Sequence, residues 1–180
     1  MSDTLFQPAY RCAAYISPCS KYRYWLSREW GNDPASKVCF VMLNPSTADA
    51  LKDDATIRRC VGFAKAWGYQ GLHVVNLFAL RATNPSALYS KEEADPVGPE
   101  SNRFLLEIPC ERIIAAWGVY GQHRGRAAEV LRMLADAGRT VECLGVTKDG
   151  YPRHPLYLPC WATPVPLIPD NARVGAGGAA

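Results

Sequence analysis

At 180 residues the chain is long enough for one domain whose core folds without disulfide or metal staples. Hydrophobic residues make up 48% and charged residues 21%, which excludes disorder over most of the length. The formal net charge of +3 excludes a histone-like nucleic-acid binder but leaves room for a local basic patch.

In chain order, Tyr10 to Trp30 is aromatic and mixed. Within it Arg23 to Trp30 reads as edge strand, with a short helix as the alternative. Val38 to Leu43 is a buried strand ended by Asn44-Pro45. Asp53 to Trp67 carries Ile57, Cys60, Val61, Ala64 and Trp67 at helical spacing, punctuated by Gly68 and Gly71. Leu72 to Val75 is a second strand, Glu100 to Ile108 a helix, and Arg112 to Trp117 a third strand stopped by Gly118. Arg124 to Ala137 is a helix closed by Gly138, and Thr140 to Leu144 a fourth strand. Four prolines make Pro159 to Pro169 an extended wrap, and the Gly/Ala-rich Arg173 to Ala180 a disordered tail. Apolar strands alternating with helices predict an α/β fold. It is three-layer α/β/α, with a central four-stranded parallel sheet plus N-terminal edge strands, in one domain over 1–172.

No apolar run reaches the roughly 18–20 residues that span a bilayer, so no membrane partner is expected. Met1 to Tyr10 lacks the basic start and apolar stretch of a signal peptide. The seven cysteines include no C-x-x-C pair. That spacing argues against a zinc knuckle or an iron–sulfur cluster; no metal and no cofactor are expected, and the thiols read as reduced and mostly buried in a cytoplasmic protein.

Ligands of open α/β sheets bind outside the carboxyl ends of the strands. The first end carries Asn44-Pro45-Ser46; Asn44 either caps the next turn or aims its amide into the crevice. The second ends in Asn76, an amide on an apolar strand that needs partners from backbone or ligand. The third ends in Trp117-Gly118, where glycine permits close approach to the backbone. Beyond the fourth lies a rigid loop, Gly150 to Pro159, containing His154.

From Lys37 to Pro159, the order strand–Asn-Pro, strand–Asn, strand–Trp-Gly, strand–His-Pro-x-x-Leu resembles the uracil-DNA glycosylase superfamily. Leu43-Asn44-Pro45-Ser46 is similar to the Gly-Ile-Asn-Pro-Gly of its mismatch and thymine-DNA glycosylase branch. His154-Pro155-Leu156-Tyr157-Leu158 resembles its His-Pro-Ser-Pro-Leu loop. Met42 or Leu43 stands where that branch has glycine, and Leu156-Tyr157 where the family has Ser-Pro. The stretches MLNPSTAD, DDATIRRC, VVNLFALRATNP and HPLYL also resemble a bacterial and phage family that brings no activity with it.

The glycosylase resemblance implies a DNA base glycosylase. Asn44 would position the water, His154 would donate to the leaving base, and Asn76 would read the pyrimidine edge. An amide orients water without accepting its proton well. Asp49 or Asp54 is therefore a candidate base; the alternative is that these carboxylates stabilise the start of the following helix. Phe78 or Tyr15 would stack on the base or belong to the core, Gly118 would let the ligand approach, and Leu158 matches the family's gap-filling leucine. Ser46 stands where the uracil branch has tyrosine. The resemblance therefore implies a pocket that admits 5-substituted pyrimidines, such as thymine in mismatches or modified bases of phage DNA, unless Tyr157 fills the space. Lys148, Arg153, Arg124, Arg126 and His123 are candidates for DNA phosphates or for a merely solvated face.

The expectation is thus a monomeric enzyme acting on DNA in repair or in defence against modified phage DNA. The competing classes are a non-catalytic nucleic-acid or base-binding module and a small nucleoside or nucleotide hydrolase. A thiol enzyme is disfavoured, because Cys39 lies within a strand and no cysteine neighbours a histidine in sequence.

Overall fold

A computed structural model describes residues 10–90 and 95–168. Its mixed α/β architecture is a seven-stranded mixed sheet with three α-helices. The strands are β1 (Arg11–Ile16), β2 (Arg23–Glu29), β3 (Lys37–Met42), β4 (Gly71–Asn76), β5 (Arg112–Ala115), β6 (Val141–Cys143) and β7 (Val165–Pro166). They lie in the order β1-β2-β4-β3-β5-β6-β7. β3 runs parallel to β4 and β5, and β5 parallel to β6. The pairs β1–β2, β2–β4 and β6–β7 are antiparallel.

All six residues of β3 and all six of β4 are buried, as continuous apolar runs require when both faces are covered. Val38, Phe40, Met42, Leu72 and Val74 pack against Ile57, Cys60, Phe63 and Ala64 of α1 (Ala55–Ala66). Cys39, Val41 and Val75 face the other way. There they meet Leu105 of α2 (Ser101–Glu107) and Val130 and Leu134 of α3 (Arg126–Asp136). Burying each such aliphatic or aromatic side chain contributes about 1.5–3 kcal/mol. Asp54 starts α1: its carboxylate accepts the Ile57 amide at 2.9 Å, satisfying one of the helix's orphan donors.

Three expectations need correction. The helix expected from Arg124 begins at Arg126. Arg124 and Gly125 both have positive φ, 54° and 68°, so the 3-10 segment Val119–Gly125 is kinked before α3 and cannot run on into it as α-helix. The proline-rich wrap contributes β7, because an edge strand tolerates a missing ladder donor. The thiols are not mostly buried: Cys39, Cys60 and Cys143 are buried, Cys110 is half-buried, and Cys12, Cys19 and Cys160 are exposed. All seven are free. The tail at 173–180 lies outside the described residues.

Candidate functional site

A cavity of about 480 Å³ opens at the carboxyl edge of the sheet, within the size range that holds small ligands. Met42, Leu43 and Asn44 line it from the end of β3, Asn76 from β4, and Trp117 and Gly118 from just beyond β5. Ser46, Asp54, His154 and Tyr157 come from the intervening loops, and Arg23 from the first position of β2. Asn44, Ser46, Asn76, Gly118 and His154, all singled out by sequence, therefore share one cleft.

Each polar group is held in a defined attitude. Asn44 donates through Nδ2 to the carbonyls of Ala82 at 2.7 Å and Pro45 at 3.1 Å. Its amide protons are spent on the loop, so the acceptor Oδ1 is what it can offer a ligand or water. His154 accepts the Leu156 amide proton at Nδ1, 3.3 Å away, which places the ring proton on Nε2. Burial lowers the His154 pKa below the ordinary imidazole value, opposed by the charge of Asp54. A neutral ring with an Nε2–H donor is the form this environment favours. Asn76 is almost wholly buried, and its Oδ1 accepts from Arg23 Nη2 at 3.4 Å.

Arg23 is the site residue that sequence reading missed. It is only 2% exposed, donates to the Ala48 carbonyl at 2.8 Å, and leaves Nε without a partner. Among the described residues no carboxylate lies within ion-pair distance of it. Burial brings its guanidinium down to about 10, with Asp54 pulling in the opposite direction; it stays charged at neutral pH. A charged residue directly before the aromatic and apolar Tyr24-Trp25-Leu26 of a strand was the available signal.

Gly118 adopts φ 69° and ψ −164°, a conformation restricted to glycine, and donates to the Pro152 carbonyl at 3.0 Å. A Cβ there would meet nothing within 4 Å. Backbone conformation, not close approach of a neighbour, is what requires glycine.

Other candidates lie elsewhere. Asp49 does not line the cleft; its Oδ1 accepts the amides of Leu51 and Lys52, which hold its pKa below the ordinary value. Phe78 is fully buried, with its ring 5.7 Å from that of His123, and is core. Tyr15 packs against Tyr24 and Phe104. Leu158 is buried at 7% exposure in the α1-side core, while its neighbour Tyr157 is 84% exposed on the cleft rim. The loop tip thus presents the tyrosine and tucks the leucine inward.

Arg126 is buried and structural. It donates to the Leu77 carbonyl at 2.8 Å and to Asn102 at 2.6 Å, and pairs with Glu129 at 3.0 Å. His123 sits between Phe78 and Tyr89 and contacts the Leu88 carbonyl. Lys148, Arg153 and Arg124 are exposed. The Tyr151 hydroxyl donates to Gln122 at 2.6 Å, tying the loop that carries Lys148 and Arg153 to the turn that carries Arg124.

The profile of a family described as "Protein of unknown function (DUF1643)" matches residues 23–156. The chain belongs to the DUF1643 family. No curated protein and no solved structure matches it. The DUF1643 match opens on Arg23 and closes on Leu156, so every cleft residue named above except Tyr157 falls within it.

Proposed function

We propose that this cleft binds a flipped pyrimidine of DNA and hydrolyses its N-glycosidic bond, on a fold like that of the uracil-DNA glycosylases. In this reading β4, β3, β5 and β6 are the parallel centre of that fold. The observation that carries it is the convergence of Asn44, Asn76, His154 and Asp54 on one cavity at the carboxyl edge of the sheet.

Cleavage makes the sugar oxocarbenium-like and sends negative charge onto the departing base. Water at C1′ is oriented by Asn44 Oδ1 and surrenders its proton to Asp54, whose second carboxylate oxygen is not needed for capping α1. The base departs toward His154 Nε2–H, a donor fixed in advance and so free of reorganisation cost. Asn76 and Arg23 supply further donors at the inner wall. Ser46 leaves room beside the base for a 5-substituent, consistent with a role in repair or in defence against modified phage DNA. Lys148, Arg153 and Arg124 meet the phosphates around the mouth.

A second reading, hydrolysis of small nucleosides or nucleotides, is favoured by the burial of Leu158 and Arg126, which removes two duplex contacts from the surface. Mass spectrometry of bases released from modified DNAs, run beside the matching free nucleosides, separates the two. Release from DNA alone supports the glycosylase, release from nucleosides alone supports the second reading, and release from neither removes both.

A further inference from the structure

At the amino edge of the sheet, away from the cleft, two cysteines and an arginine meet. Cys39 sits in β3 opposite Ile113 of β5, and Cys110 lies in the short segment leading into β5. The amide of Glu111 donates to the Lys37 carbonyl at 2.9 Å, which fastens this segment to β3. Arg139, just beyond α3, donates through Nη2 to Cys110 Sγ at 2.9 Å and to the Cys110 carbonyl at 3.4 Å. Cys110 packs against the apolar cluster that contains Cys39, and each thiol bears on the other's protonation. Cys39 is buried and Cys110 half-buried, so only the arginine-bound sulfur is open to a small reagent.

We propose that Cys110 and Cys39 are a peroxide-reactive thiol pair, Cys110 being the sulfur oxidised first and Cys39 the one that resolves it. The two sulfurs are not equivalent. The neighbouring Cys39 thiol and the charge of Arg139 hold the Cys110 thiol below the ordinary thiol value. The neighbouring Cys110 and complete burial push Cys39 up. A cation beside a partly exposed sulfur is the setting in which thiolates become reactive.

In the first step the Cys110 thiolate displaces hydroxide from hydrogen peroxide. Hydroxide takes up a proton as water, and the sulfur becomes a sulfenic acid. In the second step the Cys39 sulfur attacks the Cys110 sulfur, the S–O bond breaks, and the Cys39 proton leaves with the hydroxyl as water. Two thiols and one peroxide thus give one disulfide and two waters, with peroxide as the two-electron oxidant.

The test is peptide mapping of the whole chain after limiting hydrogen peroxide, with remaining thiols blocked before digestion. The expected product is a Cys39–Cys110 cross-linked peptide, formed ahead of oxidation at exposed Cys12, Cys19 and Cys160 and reversed by dithiothreitol. Cys39→Ala should let the Cys110 sulfenic acid accumulate and be trapped by dimedone. Arg139→Met should slow Cys110 oxidation about five- to tenfold at neutral pH through loss of thiolate. Oxidation of the exposed cysteines first, or Cys110 passing to sulfinic acid with Cys39 intact, overturns the proposal. The wild-type map alone decides it if either variant fails to fold.

Discussion

Arg23 donates to Asn76 Oδ1 across 3.4 Å in the inner wall of the cleft. A guanidinium has only donors, so the atom facing it must be the amide oxygen, and Nδ2 is turned elsewhere. Both side chains are buried, so this orientation persists without solvent competition. Arg23→Lys keeps the charge but cannot hold Ala48 and Asn76 together. The expected result is at least a tenfold loss in kcat/KM for base release, with a fall in stability of about 1–3 kcal/mol from groups left unpaired. Steady-state kinetics and urea unfolding read the two effects separately.

Asp54 and Asp49 separate the carboxylate proposed as base from one that holds a turn. Asp54→Asn preserves a good helix cap but removes the proton acceptor. Base release should fall roughly 10²- to 10⁴-fold with little change in Tm. Asp49→Asn, outside the cleft, should leave turnover within a few-fold of wild type. Comparable turnover in both variants removes Asp54 from the mechanism.

Tyr157 and Leu158 offer a paired test of the loop. Tyr157→Ala removes an exposed ring and should weaken DNA binding by about 1–3 kcal/mol, as loss of a stacked base contact does, at unchanged Tm. Leu158→Ala opens a cavity beside α1 and should cost about 2–5 kcal/mol of stability. Fluorescence anisotropy with labelled DNA and thermal melts distinguish the two. A DNA-binding defect confined to Leu158→Ala would restore the leucine to the surface role implied by the family resemblance.

Much of this was legible in the chain itself. The apolar runs of β3 and β4 could only be doubly covered strands, and each announced its end with a polar residue, Asn44 or Asn76. Those ends carry the cleft. What could not be read was long-range. Arg126 looks like any helix-start cation until Leu77, Asn102 and Glu129 converge on it. Leu158 and Tyr157 are adjacent, and only the packing of the loop on α1 decides which one turns inward. Arg23 needed the β2–β4 pairing to bring it near Asn76.

Ser46→Tyr tests the width of the pocket. The added ring should suppress release of 5-substituted pyrimidines by more than roughly tenfold while sparing uracil, because overpacking commonly costs 1–3 kcal/mol or more. Release of uracil, thymine and a bulky 5-modified pyrimidine is measured with both proteins on matched DNA. Equal losses on all three would place Ser46 away from the 5-position.

His73 gives the fold an acid-sensitive point. Burial, reinforced by Lys37 and opposed by Glu29, brings its pKa down to about 4, and neither ring nitrogen has a partner. The unfolded chain, with an ordinary value of about 6.5, binds the extra proton first. The contribution of His73 to stability is therefore complete above about pH 6.5 and is lost as the pH falls toward 4, amounting to about 3 kcal/mol. His73→Leu should be less acid-sensitive than wild type by about 2 kcal/mol between pH 7 and pH 4.5. His154 shifts in the same direction in both proteins, so it cancels from the comparison, which is made by urea unfolding at each pH.

The sheet's two outer strands bear on how the protein behaves in a crowded solution. A bare edge of N–H and C=O groups invites strands from other chains and, with them, aggregation. At one end β7 is only two residues long, and one of them, Pro166, has no N–H to give. At the other, β1 begins with Arg11 bound to Glu29 and the Gly31 carbonyl, and its register shifts between Tyr15 and Ile16. Neither edge is a long, flat template. The short proline strand that sequence reading took for mere wrapping therefore acts as a stop on the sheet. Replacing Pro166 by a β-branched residue would hand a neighbouring chain the hydrogen-bond donor that is now withheld.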